Sequence, residues 1–219
     1  MQENPPASLL DRFSRSFWDR RYREHEHVWS GNPNAQLVAR VSELPPARAL
    51  DVACGEGADA LWLAQRGWTV TGVDVSPVGL RKAAHHAQRA GELIAARIEW
   101  REVDIFGSQP VDLGQFDLVA SHYLHLPPEV RKLALARVAA AVAAHGHLLF
   151  VAHHPSDLEI PGLRPNIPEL FQTAEELASQ LEPAEWEVLE TGASPREQKT
   201  QDGRVATVHD AVLFARRRA

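Results

Sequence analysis

Cysteine is almost missing from this chain: Cys54 is the sole one in 219 residues. No internal disulfide can form, and a reducing compartment is compatible. Long apolar runs are missing too. Nothing approaches about 18 consecutive apolar residues, so no membrane-spanning segment is expected. The opening MQENPPASLL is polar and proline-bearing and lacks the basic-then-apolar pattern of an export signal. A cytoplasmic location is therefore the default expectation. Positive charge is in deficit, with 23 Lys and Arg against 29 Asp and Glu, a formal net charge of −6. That balance argues against a nucleic-acid binder, which needs a basic face. The run Arg216, Arg217, Arg218 reads as a solvated tail. There is no internal repeat and no low-complexity tract.

What is present suits one soluble globular domain over 1–219, long enough to bury a full core. Residues 7–27 read as an amphipathic helix or two short ones, carried by Leu9, Leu10, Phe13, Phe17 and Tyr22. Gly31 and Pro33 break that pattern, and Asn34 can cap a second helix, AQLVARVSEL. From residue 47 apolar strands alternate with helices. ARALDVA is followed by a helix opened by Gly57 and closed by Gly67. TVTGVDV is followed by a helix with Ser76 as N-cap and Pro77 at its first position. RIEWREV, FDLVAS (116–121) and HLLFVAH complete five strands, with an alanine-rich helix from Pro127-Pro128 to His145-Gly146 before the last. Such alternation predicts a parallel sheet with helices on both faces. Thr173 and Glu176 form a capping box for a helix reaching Leu181. WEVLETG (186–192) and HDAVLFARR (209–217) have no helix between them and must pair antiparallel, with SPREQKTQDGR (194–204) as their loop. The expectation is an α/β, Rossmann-like sheet of five parallel strands plus a terminal antiparallel pair, seven in all.

The stretch LDVACGEGADALWLAQRGWTVTGVD (50–74) carries the chemistry. It reads strand, glycine turn, helix, strand, with Asp51 at its start and Asp74 at its end. Gly55 and Gly57 let backbone approach a ligand, and a carboxylate at Asp74 can accept two ribose hydroxyls. The same residues fit the dinucleotide pattern G-x-G-x-x-A, so a nicotinamide-dependent oxidoreductase is an open alternative. A non-catalytic cofactor-binding domain is another. Asp51 separates the cofactors. An acid in an apolar strand is costly without a partner and would repel a pyrophosphate. It suits S-adenosylmethionine, whose methionine end carries an ammonium and whose sulfur is cationic.

With LDVACGEG, VTGVD, VDIF (103–106), FDLVASHYLHLP (116–127) and WDRRYREHEHVWSGNPNAQL (18–37) in view, the chain resembles the class I S-adenosylmethionine-dependent methyltransferases. Among them it is similar to the small-molecule group that includes thiopurine and tellurite-resistance methyltransferases. The resemblance implies methyl transfer to a small molecule by in-line displacement, with O or S as the acceptor atom. It implies a helical cover over 1–44 on an α/β core over 47–219. It places Asp51 near the methionine ammonium, Gly55 and Gly57 at the close backbone, and Asp74 on the ribose. Val75 and Ser76 would flank the adenine, Asp104 would accept from its amine, and Ile105 would pack on its ring. Ser121 or His122 would face the methionine part or the acceptor, and Trp29 would lid the cofactor, with Trp18 packed on the sheet edge instead. Ala53 stands where the fullest motif has its first glycine. The expectation is that alanine takes the strand angles a glycine would have there. Cys54 reads as a small buried filler.

Ligands in open parallel sheets bind beyond the carboxyl ends of the strands. His122 and His125 follow the fourth strand, His153 and His154 the fifth. The four imidazoles are expected to share a cleft, with His122 or His125 as candidate catalytic bases on a phenol or thiol. Tyr123, His153, His154 and Arg164 are candidate acceptor contacts, and no metal is expected, since no nearby acid completes a ligand set. His85 and His86, mid-helix, are expected to be exposed and inert. PSDLEIPGLRPNIPELF (155–171) is proline-rich and without period, a candidate lid.

Overall fold

The computed structural model describes residues 10–125, 127–161, 163–164, 166–200 and 203–219. Leu9, part of the expected first amphipathic face, lies outside them. The seven strands form a sheet in the order β3-β2-β1-β4-β5-β7-β6. By its contacts the chain divides into two compact units, one ending at Asp112 and one beginning at Leu113.

In the first unit a 3-10 turn, Leu10–Phe13, leads into α1 (Arg15–Glu24), capped by Ser14. α2 (Ala35–Val41) is capped by Asn34, as expected. Then follow β1 (Arg48–Val52), α3 (Ala58–Gln65), β2 (Thr69–Asp74), α4 (Pro77–Ala90), the single turn α5 (Glu92–Ala95) and β3 (Ile98–Glu102). β2 lies between β1 and β3, parallel to both. Leu50, Val52, Val70 and Val73 are buried, because a strand covered on both faces needs apolar side chains in each direction. Ser76 accepts from the Gly79 N–H and Gly67 stands at φ 95°, so both helix boundaries fall where cap chemistry puts them. Trp100, on β3, lies under two glycines. A Cβ at Gly57 or Gly72 would come within 2.6 Å of its ring.

The second unit holds β4 (Phe116–His122), α6 (Pro128–Ala140), β5 (Val142–His153), α7 (Ala174–Ala178), β6 (Trp186–Lys199) and β7 (Val205–Arg217). β4 and β5 are parallel; β7 runs antiparallel between β5 and β6. Leu118, Val119, Leu148, Phe150 and Leu213 are fully buried.

Several boundaries differ from expectation. The alanine-rich helix stops at Ala140, not at His145-Gly146. Sheet pairing wins over alanine's helix propensity there. Phe116 donates to the Ala141 carbonyl, Val142 pairs with Phe116, and the pairing resumes at Leu118 with His147. The extra residues bulge out, with His145 at φ 64°. The terminal strands are also far longer than expected. The polar stretch from Ser194 to Lys199 continues β6, and β7 begins at Val205 rather than His209. Its polar side chains find partners: Arg196 pairs with Asp210 at 2.9 Å and donates to Gln198 at 3.1 Å. The true turn is short, closed by Thr200 to Arg204 and by Gly203 at φ 84°. Finally, α7 keeps the Thr173–Glu176 capping box but ends at Ala178 instead of Leu181.

Candidate active site

The turn after β1 departs from strand geometry at once. Ala53 stands at φ 58°, Gly55 at 55° and Gly57 at 82°. The expectation that Ala53 keeps strand angles is therefore wrong. It occupies the left-handed region, where a Cβ costs on the order of 1 kcal/mol and glycine is unstrained. The turn is closed by Cys54 N–H to the Val73 carbonyl and Gly57 N–H to the Cys54 carbonyl.

Two buried acids flank this turn. Asp74, 7% exposed, ends β2; its Oδ2 accepts from the Gly55 N–H at 3.0 Å and its Oδ1 from the Ser76 N–H at 2.8 Å. Each oxygen keeps a second lone pair for a ligand hydroxyl. Burial raises the carboxyl above its ordinary pKa, while the Ser76, Gly55 and Val75 N–H groups pull it back. Asp51, 2% exposed, accepts from the Ala60 N–H at 3.1 Å, in the first turn of α3. Cys54 lies between them, its thiol pushed well above the ordinary value by burial and then by Asp51 and Asp74. It is filler, not a nucleophile.

The N-terminal segment is pinned onto the turn by residues that carry no motif signal. Asp19, on α1, accepts from the Ser76 hydroxyl at 2.6 Å and from the Val78 N–H at 3.4 Å. Ser76 is thus a fully buried link between α1 and α4, and its hydroxyl is spent within the protein rather than offered to an adenine. Glu56 Oε2 accepts from the backbone N–H of Val28 and of Trp29, each at 3.0 Å. Its Oε1 takes Lys82 Nζ at 3.1 Å, and Lys82 also donates to the carbonyls of His25 and Glu26. Trp29 Nε1 donates to the Tyr22 hydroxyl at 3.1 Å, and the rings of Trp18, Tyr22 and Trp29 lie together. A Cβ at Gly55 would sit 2.9 Å from that hydroxyl. The bare faces of Gly55 and Gly57 are therefore filled by the chain's own aromatic side chains, and their N–H groups are taken by Asp74 and by the Cys54 carbonyl. Trp29 remains half exposed, as a cover would. His86 is not inert: it is half-buried with Nδ1 3.1 Å from the Glu56 carbonyl, while His85 is exposed. Farther along, Ile105 is buried and Val75 half-buried, whereas Asp104 is exposed and folds back onto the Phe106 N–H at 2.9 Å.

In the second unit, Ser121 and His122 end β4, Ser121 fully buried and His122 half-buried. Tyr123 follows at φ 55°, a conformation costly for a bulky side chain, held by its N–H to the Val151 carbonyl and its hydroxyl to Asp210. Of the expected four-histidine cleft, His125 and His153 come together, with ring centroids 5.4 Å apart. Tyr123 lies 4.4 Å and Phe171 6.3 Å from His153. His154 does not join them. It caps the 3-10 turn Pro155–Glu159, accepting from the Ser156 N–H, and faces His209. Burial, then the Arg164 charge, lowers His125 to about 4. Burial with Arg164, His125 and Arg196 takes His153 to about 2. Imidazoles held so far below their ordinary value are weak bases, which counts against His125 as a general base.

Arg164 is no free surface arginine. Its side chain is 10% exposed and pairs with the fully buried Asp157 at 3.3 Å. Asp157 also accepts from the His209 N–H at 2.9 Å, so the proline-rich segment is fastened at its start to β7. Arg196, Asp210, Asp157, Glu56 and Asp19 all escaped the sequence reading. They lie in polar stretches or outside any motif, and only tertiary pairing gives them roles.

Among known proteins, residues 49–146 match the family model described as "Methyltransferase domain". The chain is 32% identical over 124 residues to glycine N-methyltransferase of Homo sapiens, covering 50% of this chain and 41% of that protein. It is 33% identical over 118 residues to ubiquinone biosynthesis O-methyltransferase of Xanthomonas campestris pv. campestris, covering 53% and 46%. The chain thus spans under half the length of these two relatives. A solved SAM-dependent methyltransferase from Anabaena variabilis superposes with TM-score 0.66 at 21% identity, covering 99% of this chain and 98% of that one. No helix among the described residues is long and apolar enough to cross a membrane. Residues 49–146 thus match a methyltransferase domain, and the chain has the fold of a solved SAM-dependent methyltransferase.

Proposed function

We propose that this chain, acting as one domain over 1–219, is an enzyme that moves a methyl group from S-adenosylmethionine to a small-molecule acceptor, at O or S. The observation that carries the reading is the buried acid pair flanking the glycine turn, Asp51 and Asp74. Asp74 could serve the ribose of either nucleoside, but a diphosphate at the turn would meet the Asp51 carboxylate, and the nearby Lys82 is already paired with Glu56. A nucleoside carrying a sulfonium and an ammonium meets the complementary charge. The donor set therefore fits S-adenosylmethionine and not a nicotinamide dinucleotide.

Asp74 would hold the ribose hydroxyls, its orientation set in advance by the Gly55 and Ser76 N–H groups. Asp51 would face the methionine ammonium. Val75, Asp104 and Ile105 would border the adenine, Ser121 the methionine part, and Trp29 would cover the turn. When bound, the cofactor supplies a methyl already activated on a cationic sulfur. The protein's share is to position and desolvate the acceptor, and no acid or base is required when that acceptor arrives ionised. His122, Tyr123, His125 and His153 are the proposed acceptor contacts. A cytoplasmic place and a small molecule rather than a nucleic acid as acceptor belong to this proposal.

Calorimetry with S-adenosylmethionine, S-adenosylhomocysteine and NAD tests the cofactor, and a coupled S-adenosylhomocysteine assay over phenols, thiols, thiopurines and tellurite tests the transfer. Binding of NAD in place of the sulfur nucleosides would overturn the reading.

A further inference from the structure

We infer that the acceptor enters as a planar aromatic oxyanion, a carboxylate or phenolate, received by Arg164 and Arg196 against the rings of Tyr123, His153 and Phe171. The inference rests on the proposal that Tyr123 and His153 contact the methyl acceptor.

Two guanidinium groups converge here. Arg164 Nη2 and Arg196 Nη1 donate to the same oxygen, Gln198 Oε1, at 3.2 and 3.1 Å. Placing two cations on one amide oxygen is unfavourable unless something negative offsets them. Asp157 and Asp210 do so, one for each guanidinium, and each carboxylate also accepts a further hydrogen bond. Asp157 also accepts from the His209 N–H, and Asp210 also accepts from the Tyr123 hydroxyl. Arg164 still keeps a buried donor: its Nε has no hydrogen-bond partner among the described residues, although the side chain is nine-tenths buried. His153 Nδ1 is buried and unpartnered in the same way. A buried polar group left unmade costs about 1–3 kcal/mol, which a ligand oxygen would recover.

The field at the site agrees. Arg164 depresses the basicity of both His125 and His153, and Arg196 adds to the effect on His153. Burial is the larger cause of both shifts and the arginine charges add to it, so the two guanidinium groups bear on the rings where a ligand oxygen would meet them. The shape agrees as well. Tyr123 and His153 are tilted by 31° at 4.4 Å, with Phe171 beyond, and such ring faces suit a flat ligand.

The test uses the full chain saturated with S-adenosylhomocysteine and titrated calorimetrically with matched pairs: benzoate and benzamide, quinoline-2-carboxylate and its amide, 4-nitrophenolate and 4-nitroanisole. The anion of at least one pair is expected to bind tenfold or more tightly than its neutral partner. Arg164→Gln should remove most of that preference while S-adenosylhomocysteine affinity is unchanged, and Arg164→Lys should restore part of it. The absorbance of 4-nitrophenol gives a readout that needs no variant: bound ligand should ionise at lower pH than in water. The inference is overturned if no anion outbinds its neutral partner, if Arg164→Gln leaves the preference intact, or if bound nitrophenol ionises at or above its solution value. Failure of S-adenosylhomocysteine to bind at all is a separate result, and it would overturn the methyltransferase proposal instead.

Discussion

Replacing Glu56 by alanine should free the segment His25–Trp29 while leaving the rest of the fold in place. The Glu56 side chain is only 6% exposed, and one of its oxygens takes two backbone N–H groups at 3.0 Å. Hydrogen bonds to a charged group contribute about 1.5–3 kcal/mol each, and two that share one oxygen contribute less than twice that. Lys82 loses its carboxylate but keeps the His25 and Glu26 carbonyls, which limits the penalty of its stranded charge. The expected loss of local stability is therefore about 2–4 kcal/mol. Hydrogen exchange resolves this residue by residue, because local opening is read separately from global unfolding. The Val28 and Trp29 amides should exchange roughly 30- to 700-fold faster, whereas amides of β4 and β5 keep their rates. Glu56→Gln, which keeps an acceptor oxygen without the charge, should fall between. Unaltered protection at Val28 and Trp29 in the alanine variant, or a uniform loss throughout the chain, would refute the reasoning.

Four other outcomes are expected. Ala53→Gly should raise the urea midpoint by an amount equal to about 0.5–1 kcal/mol, since glycine relieves a left-handed alanine at little cost elsewhere; a lower midpoint would contradict the φ of 58°. Asp74→Ala should weaken S-adenosylmethionine binding by about 1–3 kcal/mol in calorimetry, the scale of charge-assisted hydrogen bonds to ribose. Because burial raises the Asp74 pKa and a cationic ligand favours the ionised acid, S-adenosylmethionine affinity should fall as pH drops through that raised value and should stay flat in Asp74→Asn. His125, lowered from 6.5 to about 4, binds its proton more weakly when folded, so its stabilising effect is complete above 6.5 and lost as pH falls toward 4. Its full size is roughly 3 kcal/mol, and His125→Phe should make that limb of the pH–stability curve, measured by urea denaturation, shallower, with His153 keeping its own share.

The parallel strands and their helices were legible because their cues are local. Asn34, Ser76-Pro77 and Gly67 mark helix ends by chemistry acting within a few residues, and the apolar runs of β1, β2, β4 and β5 have one reading. The acid pair was legible for a related reason, since a carboxylate in an apolar strand demands a partner. What escaped depends on pairing across long separations. Glu56 holds residues nearly thirty positions earlier, and Asp157 ties the proline-rich segment to His209. The polar residues of β6 looked like loop because nothing nearby indicated that Arg196 would meet Asp210. Ala53 was misread because one residue type serves both strand and left-handed turn, and only the closed turn decides. His154 was placed with the acceptor by adjacency alone, and a cap two residues ahead turned it away.

β7 pairs with β5 only from Asp210 onward, yet it pairs with β6 from Val205. The two outer strands thus run on past β5 as a two-stranded ribbon for about 17 Å, at the usual rise per residue, fastened at its root where His209 meets His154 and Asp157. Arg196 and Gln198 ride on that overhang. If the proposed acceptor site is right, a lengthened, shortened or resequenced tip would change which molecules are admitted while the inner register stayed as it is. The ribbon separates the choice of guest from the upkeep of the framework.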